Sequence, residues 1–155
     1  MGDHMDMQIE HMLHGGFFKK LLEEEIGDLR QKYDMKKAEL EILYFLSKSG
    51  EHNTSKDIHY QLMMNRGHIS QAVDGLCRRR LIIAMPDQKD RRFVHYAVSD
   101  SAQEIVDEIV RRREEMNKKI LDGISAEEMQ IFRLVSGKMK RNMEKMIESN
   151  ERDRV

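Results

Sequence analysis

Apolar residues recur at helical spacing along most of the chain. From Met7 to about Gln31 they fall at Ile9, Met12, Leu13, Phe17, Leu21, Leu22, Ile26 and Leu29, the repeat of a helix with one apolar face. Gly15-Gly16 interrupts the run, and each glycine costs about 1 kcal/mol in a helix interior. The segment therefore predicts a kinked helix or two short ones. From about Lys36 to Lys48, Leu40, Ile42, Leu43, Tyr44, Phe45 and Leu46 are too many apolar residues for one narrow stripe. They predict a helix buried centrally and ended by Ser49-Gly50.

Thr54 and Asp57 have the spacing of a capping box, which starts a short helix running to about Leu62. After Met63-Met64, Asn65 is a second cap. The following helix carries Ile69, Ala72, Val73 and Leu76 and is expected to reach about Arg80. Helix, short break, helix over 54–80 is helix-turn-helix spacing.

The period then changes. Leu81-Ile82-Ile83-Ala84-Met85 and Phe93-Val94-His95-Tyr96-Ala97-Val98 flank a polar, turn-like stretch from Pro86 to Arg92. That pattern predicts a β-hairpin, and a helix-turn-helix followed by a hairpin is a winged helix. Two long helices close the chain. The first starts near Ser99 or Ser101 and carries Ile105, Val106, Ile109, Val110, Met116, Ile120 and Leu121. The second starts at the capping box Ser125-Ala126-Glu127-Glu128 and carries Met129, Phe132, Val135, Met139, Met143 and Met146, close to a heptad seam. Over 125–148 it would be on the order of 35 Å long. That length favours packing against a partner subunit, the alternative being an internal hairpin with the preceding helix.

The fold class expected is mainly α with a small β-hairpin wing: a winged helix-turn-helix flanked by long dimerisation helices. Residues 1–6 read as a vector remnant, 7–34 as an N-terminal dimerisation segment, 35–99 as the winged helix-turn-helix and 100–155 as C-terminal dimerisation helices. The single cysteine among 155 residues excludes an intramolecular disulfide framework and points to a reducing, cytoplasmic setting. No apolar run approaches the length of a membrane span, and a secretory signal is not evident.

The net charge of −1 hides a separation. Residues 65–92 carry seven basic groups (Arg66, Arg78, Arg79, Arg80, Lys89, Arg91, Arg92) and three acidic ones, net +4, whereas residues 1–30 are net −4. Basic charge is concentrated where phosphates would be met.

The stretch from Asn65 to Ile82 resembles the recognition helix and wing entry of the MarR family, the multiple-antibiotic-resistance regulators of bacteria and archaea. Its resemblance runs from Met35 to about Ala102. The family's wing motif is matched by Asp90 and Arg92, followed after five residues by Val98-Ser99 where Leu-Thr is usual. Arg80 stands where the family usually has glycine. The resemblance implies an obligate homodimer joined through the terminal helices. It also implies two winged lobes that read a pseudo-palindromic operator in double-stranded DNA, and repression modulated by a small-molecule effector. Asp90 and Arg92 would form an ion pair that holds the wing.

On a helical wheel Gly67, Gln71, Asp74 and Arg78 point away from the core, with His68 and Ser70 on the flanks. Gln71 is the best base reader, because a carboxamide pairs with adenine; Arg66 and His68 follow. Gly67 would let the backbone approach DNA closely. Asn65 caps the helix and can reach a phosphate, and Thr54 and Ser55 open a helix whose free N–H groups can receive one. Arg78, Arg79 and Arg80 suit a helix C-terminus, with Arg78 also able to reach the DNA backbone. At the wing tip Arg91 is preferred to Lys89 for a narrow minor groove.

Cys77 reads as packing, and His11 and His14 fall short of a metal site. The thirteen methionines read mainly as core. No cofactor, metal or catalytic motif is expected, and effector-binding residues are not legible. A helical dimer acting through protein contacts, without DNA, is the alternative.

Overall fold

A computed structural model describes residues 15–152. The expectations at Ile9, Met12, Leu13, His11 and His14 and for residues 1–6 lie outside this range.

Helix α1 spans Gly16–Lys32, with Gly15 as its N-cap. Its buried residues are Phe18, Leu22, Ile26 and Leu29. Phe17, expected on this face, is 95% exposed: the stripe through Leu29, Ile26 and Leu22 continues four residues back to Phe18, and position 17 is turned about 100° away. The helix closes on Asp34, at φ 50°, with the Met35 N–H donating to the Arg30 carbonyl at 2.8 Å.

Helix α2 spans Lys37–Lys48 and buries Leu40, Ile42, Leu43, Tyr44, Phe45 and Leu46. It is the central element that its all-round apolar pattern predicts. Glu39 is also buried. One of its carboxylate oxygens accepts the Lys36 N–H at 2.7 Å, and the other lies where a side chain on Gly75 would stand, 2.5 Å from an ideal Cβ. Glycine at 75 thus lets the following helix-turn-helix approach α2.

Helix α3 spans Ser55–Leu62 and α4 spans Arg66–Arg78. Between them Met63 adopts the left-handed conformation. Helix α4 buries Ile69, Ala72, Val73, Gly75 and Leu76. It stops two residues short of the expected Arg80, because Arg80 is itself left-handed at φ 57°. The Leu81 N–H donates to Leu76 O and the Arg80 N–H to Cys77 O, both at 2.9 Å. These two bonds form the Schellman closure.

Strand β1 (Ile82–Pro86) pairs antiparallel with β2 (Val94–Val98) in the register Ile82↔Val98 through Pro86↔Val94. A bridge from Thr54 to His95 and a bond from the Tyr96 N–H to Asn53 O at 3.0 Å tie the hairpin to the residues just before α3. Ser99 leads into a short 3-10 turn, Asp100–Ala102, and then α5, Gln103–Ile120.

Helix α5 buries Ile105, Val106, Ile109 and Met116. Arg113 lies on the same buried face, its guanidinium 3.9 Å from the centroid of the Tyr44 ring. Glu108, near the start of α5, accepts from Lys32 Nζ and the Tyr33 hydroxyl, each at 2.6 Å, and from Arg112 at 2.9 Å. The chain divides into two compact units between Asn117 and Lys118, inside α5. In the second unit α6 spans Ala126–Arg152, opened by the Ser125–Glu128 capping box. Leu134, Val135, Met139, Met143 and Met146 of α6 are exposed. None of the described helices is long and apolar enough to cross a membrane.

Candidate nucleic-acid interface

The two helices of the helix-turn-helix are each started by a side-chain cap. Thr54 Oγ1 accepts the Asp57 N–H at 3.3 Å, and Asp57 Oδ2 accepts the Thr54 N–H at 2.9 Å and its hydroxyl at 2.7 Å. The Thr54 hydroxyl is thus engaged in holding α3. The Asp57 carboxylate stands in the first turn, where a phosphate would otherwise be drawn by the helix dipole. Ser55, next to it, is exposed. His59, near the end of α3, donates from Nδ1 to the Met64 carbonyl at 2.6 Å and so braces the turn between the helices.

Asn65 caps α4: its Oδ1 accepts the His68 N–H at 2.8 Å. Because Ile69, Ala72, Val73 and Leu76 bury one face, the opposite face carries Arg66, Gly67, His68, Ser70, Gln71, Asp74 and Arg78, all exposed. Five of the sequence-derived candidates thus share the first turn and a half of α4, with Asn65 at its head. Arg78 sits two turns further on, and its Nε donates to Asp74 O of its own helix at 3.4 Å.

For Arg79 the sequence suggests only a favourable charge at a helix end. Its guanidinium instead donates to Asp34 O and Tyr33 O, both at 2.7 Å. It satisfies carbonyls at the end of α1 rather than of its own helix. The Arg80 carbonyl accepts from the hydroxyls of Ser99 and Ser101, each at 2.6 Å.

The wing is organised by two carboxylates. Arg92 grips Asp90, with Nε 3.0 Å from Oδ1 and a terminal nitrogen 2.7 Å from Oδ2, and this pairing holds the Asp90 carboxyl below its ordinary range. Asp87, not singled out in the sequence, does more. Its Oδ1 accepts the N–H groups of Lys89 and Asp90, both at 2.8 Å, and its Oδ2 lies 3.0 Å from His95 Nε2. The backbone bond from Asp90, then the His95 ring, lower its pKa. His95 Nδ1 is 2.5 Å from Asn53 Oδ1, so the ring links the wing turn to the entry of α3. Lys89 and Arg91 are left exposed at the tip.

An aspartate directly after Pro86 and two residues before Lys89 is a turn-forming signal that could have marked Asp87. His95 and Asn53 are 42 residues apart, and no local pattern links them.

Other candidate chemistry is sparse. Cys77 is half-buried, and burial pushes its thiol up, away from the reactive thiolate. Among the described residues no three His, Cys, Asp or Glu side chains are grouped to hold a metal ion. A pocket between α1 and α2, lined by residues including Leu22, Ile26, Arg30 and Glu41, has a volume of about 10 Å³, room for about one water.

Comparison with known proteins agrees with this geometry. Residues 35–102 match the winged helix DNA-binding domain family. The chain is 24% identical over 143 residues to the HTH-type transcriptional regulator PecS of Dickeya dadantii (strain 3937), covering 89% of this chain and 86% of that one. Among solved structures it is similar to a MarR-family transcriptional regulator from Silicibacter pomeroyi, with a TM-score of 0.69, 17% identity and coverage of 80% and 83%. It is also similar to S. aureus MepR in its DNA complex, with a TM-score of 0.60, 20% identity and coverage of 86% and 91%.

Proposed function

From a winged helix DNA-binding domain set in the fold of MarR-family regulators, we infer that this chain is a homodimeric, sequence-specific DNA-binding transcriptional regulator. It acts as a repressor whose grip on DNA is modulated by a small-molecule effector, and it is not an enzyme. The observation that carries the reading is the exposed N-terminal face of α4. Arg66, Gly67, His68, Ser70 and Gln71 stand there together, on a helix whose other face is locked into the core.

In this mechanism α4 enters the major groove. Gln71 pairs with adenine, Arg66 reads guanine or holds a phosphate, and Asn65 and Ser55 meet the backbone, with Thr54 contributing through its cap. The wing tip follows the adjacent minor groove. Arg91 inserts and Lys89 flanks it, on a loop kept in shape by the Asp90–Arg92 pair and by Asp87. The exposed apolar residues of α6 support a second copy as partner. With residues 7–34 and 100–155 forming the dimer interface, the two lobes read a pseudo-palindromic site. The pocket between α1 and α2 has room for about one water and is too small to hold such an effector.

Selection of bound duplexes from a random pool, followed by a salt series on the selected sequence, tests the reading. Recovery of a two-fold symmetric motif with steeply salt-dependent affinity is expected. Failure to bind any duplex at low salt would refute it and favour a helical dimer that works through protein contacts. Sedimentation at equilibrium checks the dimer, and a thermal-shift screen of small molecules checks the effector.

A further inference from the structure

We propose that Asn65 fixes the tautomer of His68, and so makes His68 a hydrogen-bond donor that reads a purine N7 in the major groove. This rests on the DNA-binding reading above and goes one step further, to how one base contact is set before DNA arrives.

The assignment follows from what each atom can do. The His68 backbone N–H can only donate, and the Asn65 atom 2.8 Å from it is therefore the amide oxygen, Oδ1. The other amide atom, Nδ2, then faces His68 Nδ1 at 3.1 Å. An amide NH₂ can only donate, so Nδ1 must accept. A neutral ring that accepts at Nδ1 carries its proton on Nε2. One side chain thus performs two tasks: it starts the recognition helix and it holds the imidazole in one protonation pattern. The exposed ring offers an Nε2–H to whatever meets this turn of α4.

That choice has consequences for sequence. In the major groove an N–H donor is matched by purine N7, with guanine O6 as a second acceptor beside it, and among pyrimidines by thymine O4. Cytosine presents only its N4 amino group there and gives no partner. His59, on the other helix of the motif, is held the opposite way. Its Nδ1 faces the Met64 carbonyl, which can only accept, so its proton is on Nδ1. The same molecule therefore contains a built-in contrast.

Two measurements test the proposal on the full chain. Long-range proton–nitrogen NMR correlations of the histidine rings, on the free protein above the pH of imidazole titration, should show His68 protonated at Nε2 and His59 at Nδ1. Asn65→Asp keeps an acceptor for the helix cap but cannot donate, so it should convert His68 to the Nδ1–H form. The added negative charge weakens all DNA binding, and the discriminating quantity is therefore the ratio of affinities for selected and random duplexes. That ratio should fall about tenfold in Asn65→Asp. In the selected duplex, 7-deazapurine at one position should cost the parent a similar factor and cost His68→Ala nothing further.

A His68 ring protonated at Nδ1 in the free protein would overturn the proposal. So would an unchanged affinity ratio in Asn65→Asp, or the absence of any position at which 7-deazapurine affects the parent and spares His68→Ala. If the parent itself shows no preference for any sequence, the DNA-reading function fails, and the base contact fails with it. The ring correlations would still report whether Asn65 sets the tautomer, so the two failures can be told apart.

Discussion

Arg80 occupies a position at which glycine is the low-cost residue. It is the left-handed residue of the Schellman closure on α4, at φ 57°, with Leu81 following as a buried residue. A side chain in this conformation costs roughly 1–2 kcal/mol relative to the right-handed region. Glycine removes that cost but loses more unfolded-state freedom, about 0.5–1 kcal/mol. Arg80→Gly should therefore stabilise the chain by roughly 0.5–1 kcal/mol. The compensating bonds from Ser99 and Ser101 go to the carbonyl of residue 80, a backbone group, and survive the change. Urea unfolding at fixed protein concentration is the assay, because a dimer's stability depends on concentration. The midpoint should rise with the slope unchanged. Arg80→Ala keeps the left-handed strain and removes the charge, so it should show no comparable gain. A midpoint for Arg80→Gly at or below the parent, or an equal gain in Arg80→Ala, would refute the claim that strain at this residue limits stability.

Other perturbations follow from the same geometry. Gly75→Ala places a Cβ against the far end of the Glu39 side chain, which must swing aside at the expense of its bond to the Lys36 N–H; that loss of about 0.5–2 kcal/mol offsets a helix gain of about 1 kcal/mol, and thermal melts should show little net gain in the parent and the full gain in a Glu39→Ala background. Glu108 is held down to about 2 by Lys32 and Tyr33 first, with Arg112 also contributing. Its contribution to stability is therefore present above its ordinary 4.5 and is lost as the pH falls from there through about 2; in melts across that window the difference between parent and Glu108→Gln should shrink towards acid, and a constant difference would refute the pairing. Gly67→Ala meets only an ordinary contact with Asn65 Oδ1 at 3.4 Å, so it should raise the melting temperature, and unchanged affinity for the selected duplex in a gel-shift titration would exclude close backbone approach at this point. Arg91→Ala should weaken DNA binding and reduce the salt slope by about one ion per protomer, and parental behaviour across a salt series would remove Arg91 from the interface.

How far the sequence could be read depended on the distance between interacting groups. The caps at Thr54, Asn65 and Ser125 join residues three apart, and they were legible. So were the buried stripe of α4 and the all-round burial of α2, since each is a periodicity within one element. The pattern points to Phe17 where the structure buries Phe18, because Gly15-Gly16 breaks the run just before it and leaves nothing upstream in phase to fix the face. The end of α4 comes two residues before the expected Arg80 because arginine itself carries no signal for the left-handed conformation; only the glycine usual at that position in the resembled family points to it. The contacts Arg79–Tyr33, His95–Asn53 and Arg113–Tyr44 link residues far apart in the chain and have no local signature.

The run Arg78-Arg79-Arg80 shows why a charge count marks a basic segment without measuring the DNA contact proposed for it. Arg78 lies along its own helix and faces the same side as Gln71. Arg79 is spent on the carbonyls that end α1. Arg80 owes its position to a backbone turn, and its side chain is exposed. In the wing, Arg92 is spent on Asp90. Of the seven cations in 65–92, Arg79 and Arg92 are therefore held by internal partners, Arg78 gives only its Nε to its own helix at 3.4 Å, and five at most remain to meet phosphates. For a dimer the ceiling on phosphate contacts from this segment is ten rather than fourteen, and the slope of log affinity against log salt should not exceed about −9 from these groups. A protein with a net charge of −1 can bind DNA on these terms, because only the cations that the fold leaves able to reach phosphates enter the count.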